Sequence, residues 1–276
     1  MDPTPPPPRA VIQATRTLLA PWRWLTKPRF YGIEHVPADR PVLLVGNHTL
    51  MGVLDVPLMM IGLWEQRGLW PRPLGDHVHF AIPGWRELVA FFGTVEGTRQ
   101  NCRALMRAGE SVLVFPGGAR EVFKRKGEQY RLRWSNRMGF ARLAVEHAYT
   151  IVPFAAVGAD DCYEIVLDAG EVRRLLPPVR WIPRSDEMPP LVRGVGPTVI
   201  PRPQRFYFHF APPVETASLR GLEGDDAAVF GVREQVRTAV EAGIEFLLAE
   251  RRRDPQRRLI PRVTGAPRPG RVRRGT

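Results

Sequence analysis

The sequence lacks three features that would assign it to a simple class of protein. It has only two cysteines, Cys102 and Cys162, whose spacing fits neither a metal site nor a redox motif. No apolar run reaches the roughly 18 residues that cross a bilayer, and the longest, Val56 to Trp64, is interrupted by Pro57. The N-terminus is too rich in proline for a signal peptide. We therefore expect a chain without bound metal that is cytoplasmic or lies on the cytoplasmic face of a membrane.

The charge of the chain is strongly positive but unevenly distributed. The 276 residues have a formal net charge of +12, which suggests either nucleic acid or an anionic membrane surface as partner. Residues 1–33 carry +4 and residues 251–276 carry +9, which leaves −1 for the body between them. A nucleic-acid-binding domain would carry its cations on the folded body. We therefore predict no nucleic-acid partner, and we predict that the basic ends meet an anionic membrane.

The order of hydrophobic patterns predicts an α/β fold. Short apolar runs typical of buried strands alternate with segments of helical periodicity. Strands connected by helices favour a mostly parallel central sheet flanked by helices, and 44% hydrophobic residues suffice for one core. The predicted strands are 41–46, 93–96, 111–115, 151–157 and 206–210, and the predicted helices are 54–66, 83–92, 98–108, 135–148 and 225–253, the last a long C-terminal helix.

Composition divides the chain into four segments. Residues 1–8 are a proline-rich lead that we predict to be disordered. Residues 9–28 are predicted to form an amphipathic helix that associates with a membrane, and residues 29–253 the main domain. Residues 254–276, rich in arginine, proline and glycine, are predicted to be a disordered tail.

The helix predicted at 9–28 has two interpretations. Its apolar side chains share one face, and arginines recur every seven residues from Arg9 on another. A short cationic helix with Trp24 near its end is typical of an interfacial membrane anchor. A helix packed on the body explains the same pattern, and in either case Pro21 should kink or end it.

Two loops that follow predicted strands contain chemically useful residues. Gly46-Asn47-His48-Thr49 places a histidine at a strand end, where open α/β sheets form active sites and where an imidazole can take a hydroxyl proton near neutral pH. The loop from Phe115 to Glu121 contains Gly117 and Gly118, whose amides can approach an anion closely, followed by Arg120. Either motif by itself is also compatible with a structural loop.

Four short motifs follow one another along the chain: Gly-Asn-His at 46–48, Gly-Thr-Val-Glu-Gly-Thr-Arg at 93–99, Phe-Pro-Gly-Gly at 115–118 and Ile-Val-Pro-Phe at 151–154. In order and spacing they resemble the four blocks of the glycerolipid acyltransferase superfamily, which includes the lysophosphatidic acid acyltransferases. Residues 115–161 are more similar to the branch that contains type-2-like diacylglycerol acyltransferases and phytyl ester synthases. Residues 29–253 are therefore expected to be an acyltransferase domain.

The resemblance implies an acyl transfer reaction. In relatives the histidine of the first block is the general base that removes a proton from an acceptor hydroxyl, which then attacks the thioester of an acyl-CoA, and His48 occupies that position. The resemblance implies acyl-CoA as co-substrate, a lipid hydroxyl as acceptor and no cofactor. It assigns substrate binding to residues around these loops, which are Asn47, Arg99, Gly117, Gly118, Arg120, Glu121 and Lys124.

The carboxylate that orients this histidine in relatives is displaced here. The common pattern has an Asp five positions after the His, where this chain has Val53, and the nearest acid is Asp55. In one continuous helix the seven-residue offset to Asp55 spans about 10.5 Å, so Asp55 reaches His48 only if a loop folds back. We predict Asp55 as the catalytic partner of the imidazole, with Asp76 as the alternative.

Position 117 bears on the acceptor. Gly117 stands where lysophosphatidate-type enzymes carry Glu, which favours a neutral acceptor such as a mono- or diacylglycerol or another lipid alcohol. A lysophosphatidate acyltransferase is the alternative within the class. A lipid esterase or thioesterase, or a non-enzymatic lipid-binding protein, are alternatives outside it. The sequence leaves open the acyl-chain length, the choice between CoA and carrier-protein donors, and the oligomeric state.

Overall fold

A mostly parallel sheet forms the centre of the part of the chain that the structure describes. The computed structural model describes residues 5–175 and 188–264. In chain order its strands are β1 Arg29–Tyr31, β2 Val42–Gly46, β3 Arg72–Gly75, β4 Val95–Glu96, β5 Val112–Val114, β6 Thr150–Val157, β7 Glu164–Leu167, β8 Leu191–Arg193 and β9 Tyr207–Phe210.

Seven of these strands join one sheet in the order β1-β9-β6-β2-β5-β3-β4. Every pair in it is parallel except β6 with β9. β7 and β8 form a separate antiparallel pair. The predicted α/β class with a mostly parallel central sheet is confirmed.

Helices flank this sheet. In chain order the helices are α1 Arg9–Leu18, α2 Ala20–Thr26, α3 Val56–Arg67, α4 His77–Ala81, α5 Trp85–Phe91, α6 Arg99–Arg107, α7 Ala119–Val122, α8 Gly139–His147, α9 Ala169–Leu175, α10 Asp226–Arg253 and α11 Leu259–Thr264. The helices predicted at 54–66, 83–92, 98–108 and 225–253 are confirmed as α3, α5, α6 and α10.

The helix predicted from Ser135 begins later than expected. Ser135 has a φ of +48° and lies outside α8, which starts at Gly139. The carbonyl of Ser135 accepts a hydrogen bond from the Arg233 guanidinium of α10. A residue in this left-handed conformation cannot act as a helix N-cap, whose backbone is extended.

The long helix α10 begins and packs as its sequence predicts. The Asp225 carboxylate accepts from the backbone N–H groups of Ala227 and Ala228, which satisfies two of the amides left free at a helix start. Three valines and one isoleucine at helical spacing are buried against the sheet: Val232, Val236, Val240 and Ile244.

The core lies on both faces of the two central strands. β2 and β6 are buried over their whole length, as expected for parallel strands covered on both sides. Leu43 and Val45 of β2 pack with α6, α8 and α10, whereas Val42 and Leu44 pack with α3 and the phenylalanines of β9. The carboxyl ends of β2 and β5 are thereby held side by side.

The N-terminal helical segment packs on the body. It breaks at Leu19 into α1 and α2, because Pro21 in the first turn of α2 cannot continue the hydrogen bonding of α1. Glu65 of α3 forms ion pairs with Arg16 at 2.7 Å and Arg23 at 2.5 Å. Leu18 nevertheless remains 74% exposed. No helix within residues 5–175 and 188–264 combines the length and apolarity that a bilayer span needs.

The tail predicted to be disordered is folded as far as residue 264. Its chain forms a 3-10 turn followed by α11. Arg262 is fully buried and donates to the carbonyl of Pro203, and its own carbonyl accepts from Lys27 Nζ at 2.7 Å. The composition of the tail did not indicate this helix, because it does not show that Arg262 and Lys27 bind backbone carbonyls within the fold. Residues 265–276 lie outside the described residues.

Part of the predicted disordered lead is also placed on the body. Pro7 is buried, and its ring lies against Gly93 after α5. The expectation of disorder is therefore wrong at Pro7, because a proline needs no hydrogen-bond partner for its nitrogen when it is buried. Residues 1–4 lie outside the described residues.

Asp254 joins the end of α10 to the sheet. Its side chain is 3% exposed, and Oδ2 accepts from the Tyr207 hydroxyl and from Arg205 Nη1, both at 2.8 Å. Burial raises the pKa of this carboxyl, but the bonds from Tyr207 and the backbone of Gln256, with the Arg205 charge, outweigh burial and hold the pKa below its usual value. The fold therefore favours the ionised form.

We expect Asp254→Asn to lower the free energy of unfolding by about 1–3 kcal/mol, because the amide is a weaker acceptor and leaves Arg205 poorly paired. The depressed pKa means that the carboxylate stabilises the fold above its unfolded pKa of about 3.9, and that this contribution is lost as the pH falls through the folded value. Urea denaturation of both proteins at about pH 7 and below about pH 4 measures this. A wild-type advantage that does not shrink in acid would contradict it.

Candidate active site

His48 lies at the carboxyl edge of the sheet, beside the second predicted loop. β2 and β5 are parallel with Val45 opposite Val114, so the residues that follow them leave the sheet together. The His48 and Phe115 rings stack with centroids 4.0 Å apart and planes 19° apart. The structure thus brings the two sequence motifs into contact at the place where parallel sheets form active sites.

The imidazole of His48 is uncharged at neutral pH. Burial lowers the pKa of His48 to about 3, and the nearby positive charges of Lys124 and of His79, when protonated, act in the same direction. The residue is partly exposed at the surface, whereas its Nδ1 is buried and has no hydrogen-bond partner in the part of the chain that the structure describes. A neutral imidazole is the form that can accept a proton.

Neither predicted carboxylate contacts the imidazole of His48. Asp55 is 3% exposed and its Oδ1 accepts from the Thr49 hydroxyl at 2.8 Å. Burial raises the pKa of Asp55 to about 6, against the lowering effect of the Thr49 bond. Asp76 caps α4 through the N–H of Val78. The loop after His48 does fold back, but it carries Asp55 to Thr49 and not to the ring.

Three residues predicted to bind substrate lie beneath the loop instead. Asn47 exchanges two hydrogen bonds with the backbone of Ala156, at 3.0 and 2.8 Å. Glu121 accepts from the His48 N–H at 2.8 Å, and Lys124 donates to the His48 carbonyl at 2.7 Å. All three side chains are buried and bonded to the protein itself, and their role in substrate binding stays a prediction.

Asp160 completes this buried layer. Lys124 Nζ lies 3.0 Å from its carboxylate, and both side chains are at most 1% exposed. Asp160 also accepts from the N–H groups of Leu50 at 2.6 Å and Tyr130 at 3.0 Å. The sequence analysis missed Asp160, although its position in Ala-Asp-Asp just after β6 puts it at the same sheet edge as His48.

Two glycines adapt the backbone to these groups. Gly52 has a φ of +65°, and a Cβ there would lie 2.4 Å from Cε1 of His48. A Cβ at Gly117 would lie 2.1 Å from Cδ of Glu121. Position 117 therefore accepts no side chain while Glu121 occupies this space, which is the local reason for the glycine. Gly52 was not recognised from the sequence.

The cations around the glycine loop differ in how firmly they are held. Arg120, predicted to bind substrate, forms a two-point ion pair with Glu128, with both distances 2.9 Å. Arg137, which the sequence analysis missed, donates to the Pro116 carbonyl at 2.8 Å and lies across Gly118, whose φ is +53°.

Arg99 is an exposed cation of this region. It occupies the first position of α6, with its Nε 3.9 Å from where a Cβ on Gly139 would lie. Within residues 5–175 and 188–264 it makes no hydrogen bond or ion pair. Gly139 is two residues from Arg137 in the chain, so Arg99 lies near the segment that carries Arg137, and guanidinium groups are well suited to bind phosphate.

Large apolar side chains are exposed on the loop that follows His48 and on or beside the short helices α4 and α5. The Trp85 indole N–H of α5 donates to His79 Nδ1 of α4 at 3.0 Å, which fixes these two short helices to each other. The short helix α4 was not predicted, because the segment 77–81 is too short for a periodicity. The large apolar residues exposed here by 37–56% are Val53, Val78, Ile82, Trp85, Leu88 and Phe91.

Comparison with known proteins places the chain in a family. The family model described as Acyltransferase matches residues 27–157. Phytyl ester synthase 2, chloroplastic, of Arabidopsis thaliana is 32% identical over 256 residues, which cover 84% of this chain and 36% of that protein. The DGAT1/2-independent enzyme synthesizing storage lipids of Homo sapiens is 32% identical over 123 residues, 45% of this chain and 37% of that protein.

The lengths of these proteins differ. This chain spans little more than a third of either relative. Among solved structures, that of the 1-acyl-sn-glycerophosphate (LPA) acyltransferase PlsC from Thermotoga maritima matches with a TM-score of 0.48 at 16% identity, covering 88% of this chain and 84% of that one. Residues 27–157 of the chain belong to the family described as Acyltransferase, and over 84% of its length the chain is similar to the phytyl ester synthases of Arabidopsis thaliana.

Proposed function

We propose that the protein is an O-acyltransferase that moves a fatty acyl group from acyl-CoA to the hydroxyl of a lipid alcohol, with His48 as general base. The observation that carries this proposal is the position of His48, a partly exposed residue at the carboxyl edge of the sheet whose neutral imidazole stacks on Phe115 of the glycine loop. Membership of the acyltransferase superfamily supports the reaction class.

The proposed reaction needs one base and no cofactor. His48 Nε2 takes the proton of the acceptor hydroxyl while the oxygen attacks the carbonyl carbon of the thioester. The new carbon–oxygen bond forms, the carbon–sulfur bond breaks, and the protonated His48 returns the proton to the leaving thiolate. Burial and the charge of Lys124 lower the pKa of His48, so the imidazole is unprotonated before the reaction.

The phosphates of the CoA donor are proposed to bind at Arg99 and Arg137. Guanidinium groups suit phosphate oxygens because they donate two parallel hydrogen bonds. Arg120 was the sequence-based choice for this role, but its guanidinium is engaged by Glu128. Arg99 is exposed and lies beside the same loop, so it is the better placed of the two.

A neutral acceptor is proposed for two reasons. Gly117 has no room for the glutamate of lysophosphatidate-type enzymes, and the curated relatives are named for phytyl esters and storage lipids. A lysophosphatidate acceptor is the second candidate, because Arg99 and Arg137 would also suit the phosphate of an acceptor.

Peripheral binding to the cytoplasmic face of a membrane is proposed to bring lipid to the site. Leu18 and Trp24 of the N-terminal helices are 74% and 58% exposed. The exposed apolar residues around His48 add a second surface that lipid chains can contact. Exposed aromatic and aliphatic side chains next to cations are typical of proteins that lie on a membrane interface.

We expect His48→Ala to reduce acyl transfer by about 100- to 10,000-fold, because no other base replaces the imidazole. The measurement uses purified protein, labelled acyl-CoA and a panel of acceptors that includes diacylglycerol, a long-chain alcohol and lysophosphatidate. His77→Ala is the matched control, since His77 is an exposed histidine paired with Asp76.

The outcomes of this assay separate the candidates. Unchanged turnover in His48→Ala with an intact fold would exclude the proposed mechanism. Preference for lysophosphatidate over neutral acceptors would select the second candidate. Release of free fatty acid at the same rate with and without acceptor would indicate a hydrolase.

We expect Asp55→Asn to reduce turnover far less than His48→Ala, by at most about tenfold, because Asp55 binds Thr49 and does not contact the ring. The comparison is made in kcat at saturating donor, with thermal unfolding as a check on the fold. A loss as large as that of His48→Ala would show that Asp55 orients the base during the reaction.

We expect the double variant Leu18→Ser with Trp24→Ser to bind vesicles of phosphatidylcholine and phosphatidylserine at least about tenfold more weakly, because it removes two exposed apolar contacts with the interface. Sedimentation with vesicles measures this. The control is Val199→Ser with Ile200→Ser, which changes two residues of similar exposure (70% and 61%) outside the helices α1 and α2. Equal binding by the wild type and the Leu18 and Trp24 variant would refute the role of α1 and α2.

A further inference from the structure

Both main-chain groups of His48 are bound by buried polar side chains. The N–H of His48 donates to Glu121 Oε2 at 2.8 Å, and its carbonyl accepts from Lys124 Nζ at 2.7 Å. Glu121 is fully buried and Lys124 is 1% exposed. A residue that leaves a strand for a loop usually bonds to water or to other backbone, so two dedicated side chains at one residue are a special arrangement.

The two side chains are themselves fixed. Glu121 Oε1 accepts from the N–H of Arg133 at 2.7 Å, and Lys124 is paired with Asp160 at 3.0 Å. Asp160 in turn accepts from the N–H of Leu50, two residues beyond His48. The backbone of the histidine loop is therefore tied through buried side chains to two segments that are distant in sequence, one with Glu121 and Lys124 and the other with Asp160.

The imidazole itself lacks the restraint that a catalytic histidine commonly has. A carboxylate at Nδ1 normally sets the ring orientation, but Nδ1 of His48 has no partner among the described residues, and Asp55 binds Thr49. The ring is limited by its stacking on Phe115 and by Gly52 at its edge. Because Phe115 and Gly52 limit the rotation of the ring, the direction of the Cα–Cβ bond decides where the ring points.

We propose that Glu121, Lys124 and Asp160 form a main-chain clamp that orients the His48 imidazole through its backbone, in place of a carboxylate at Nδ1. This inference rests on the proposed role of His48 as base. The three are positioning residues: they touch neither substrate nor the reacting nitrogen. The clamp acts from both sides of one residue, so loss of either side lets the peptide planes of His48 rotate.

Two variants release the clamp without leaving an unpaired buried charge. Glu121→Gln keeps the volume but has one acceptor oxygen for two N–H groups. The double variant Lys124→Met with Asp160→Asn removes the cation and the anion together, because removing one alone would bury an uncompensated charge. Asp254→Asn is the matched control, since it weakens another buried carboxylate network that involves Arg205 and Tyr207 and not His48.

Two readouts distinguish positioning from general stabilisation. In the acyl transfer assay we expect each clamp variant to lower kcat by at least about tenfold, as a displaced catalytic group does, with the KM for acyl-CoA changed less than about threefold. In NMR spectra of histidine-labelled protein, the His48 Hε1 resonance should lie upfield because of Phe115 and move downfield in the clamp variants. Asp254→Asn should keep the wild-type kcat and the wild-type Hε1 resonance, even when its thermal midpoint falls by as much as that of the clamp variants.

The test of the clamp can be decided separately from the test of the proposed function. If either clamp variant keeps wild-type kcat and an unshifted Hε1 resonance, the clamp is refuted. A loss of kcat no larger than that of Asp254→Asn at equal stability also refutes it. If the wild type transfers no acyl group, the proposed function fails, and the NMR comparison, which needs no substrate, decides on the clamp. Should the double variant not fold, Glu121→Gln alone gives the decision.

Discussion

The buried ion pair between Lys124 and Asp160 is the interaction on which the loops around His48 depend. Moving each of these two charges out of water costs roughly several kcal/mol of free energy. Their mutual attraction offsets that desolvation cost only when the remaining donors and acceptors also have hydrogen-bond partners. Here the ammonium also bonds the His48 carbonyl, and the carboxylate bonds the N–H groups of Leu50 and Tyr130. The loops that follow β2, β5 and β6 must therefore close together, because each supplies part of the same buried layer.

The same buried layer contacts the backbone of His48, the proposed base, and affects its protonation. Lys124 supports the backbone of His48, and its positive charge adds to burial in lowering the pKa of the imidazole. Lys124, which holds the loop, therefore also adds to burial in favouring the neutral imidazole. Asp55 takes no direct part in this, since its carboxylate completes the loop through Thr49. In the proposed mechanism, the clamp beneath the histidine replaces the carboxylate that many enzymes place beside it.

The basic ends of the chain have a structural role as well as a net charge. Arg16 and Arg23 pair with Glu65, and Arg262 lies fully buried with its carbonyl bound by Lys27. These cations dock the terminal helices onto the domain. Counting charge along the sequence therefore overstates the charge that is free to meet a membrane, and the exposed apolar side chains of α1 and α2 supply part of the proposed contact.

The sequence by itself determined the fold class, the main helices and strands, and the place of His48 after β2. These follow from hydrophobic periodicity and from the position of a residue at a strand end, which are local properties. β3 was missed because Arg-Pro-Leu-Gly has no apolar alternation; its Arg72 is buried by bonding the Gly93 carbonyl. Only the tertiary structure decided which side chains serve the histidine. Glu121, Lys124 and Asp160 meet this loop from positions 73 to 110 residues away, and burial and pairing at such separations depend on how the strands assemble.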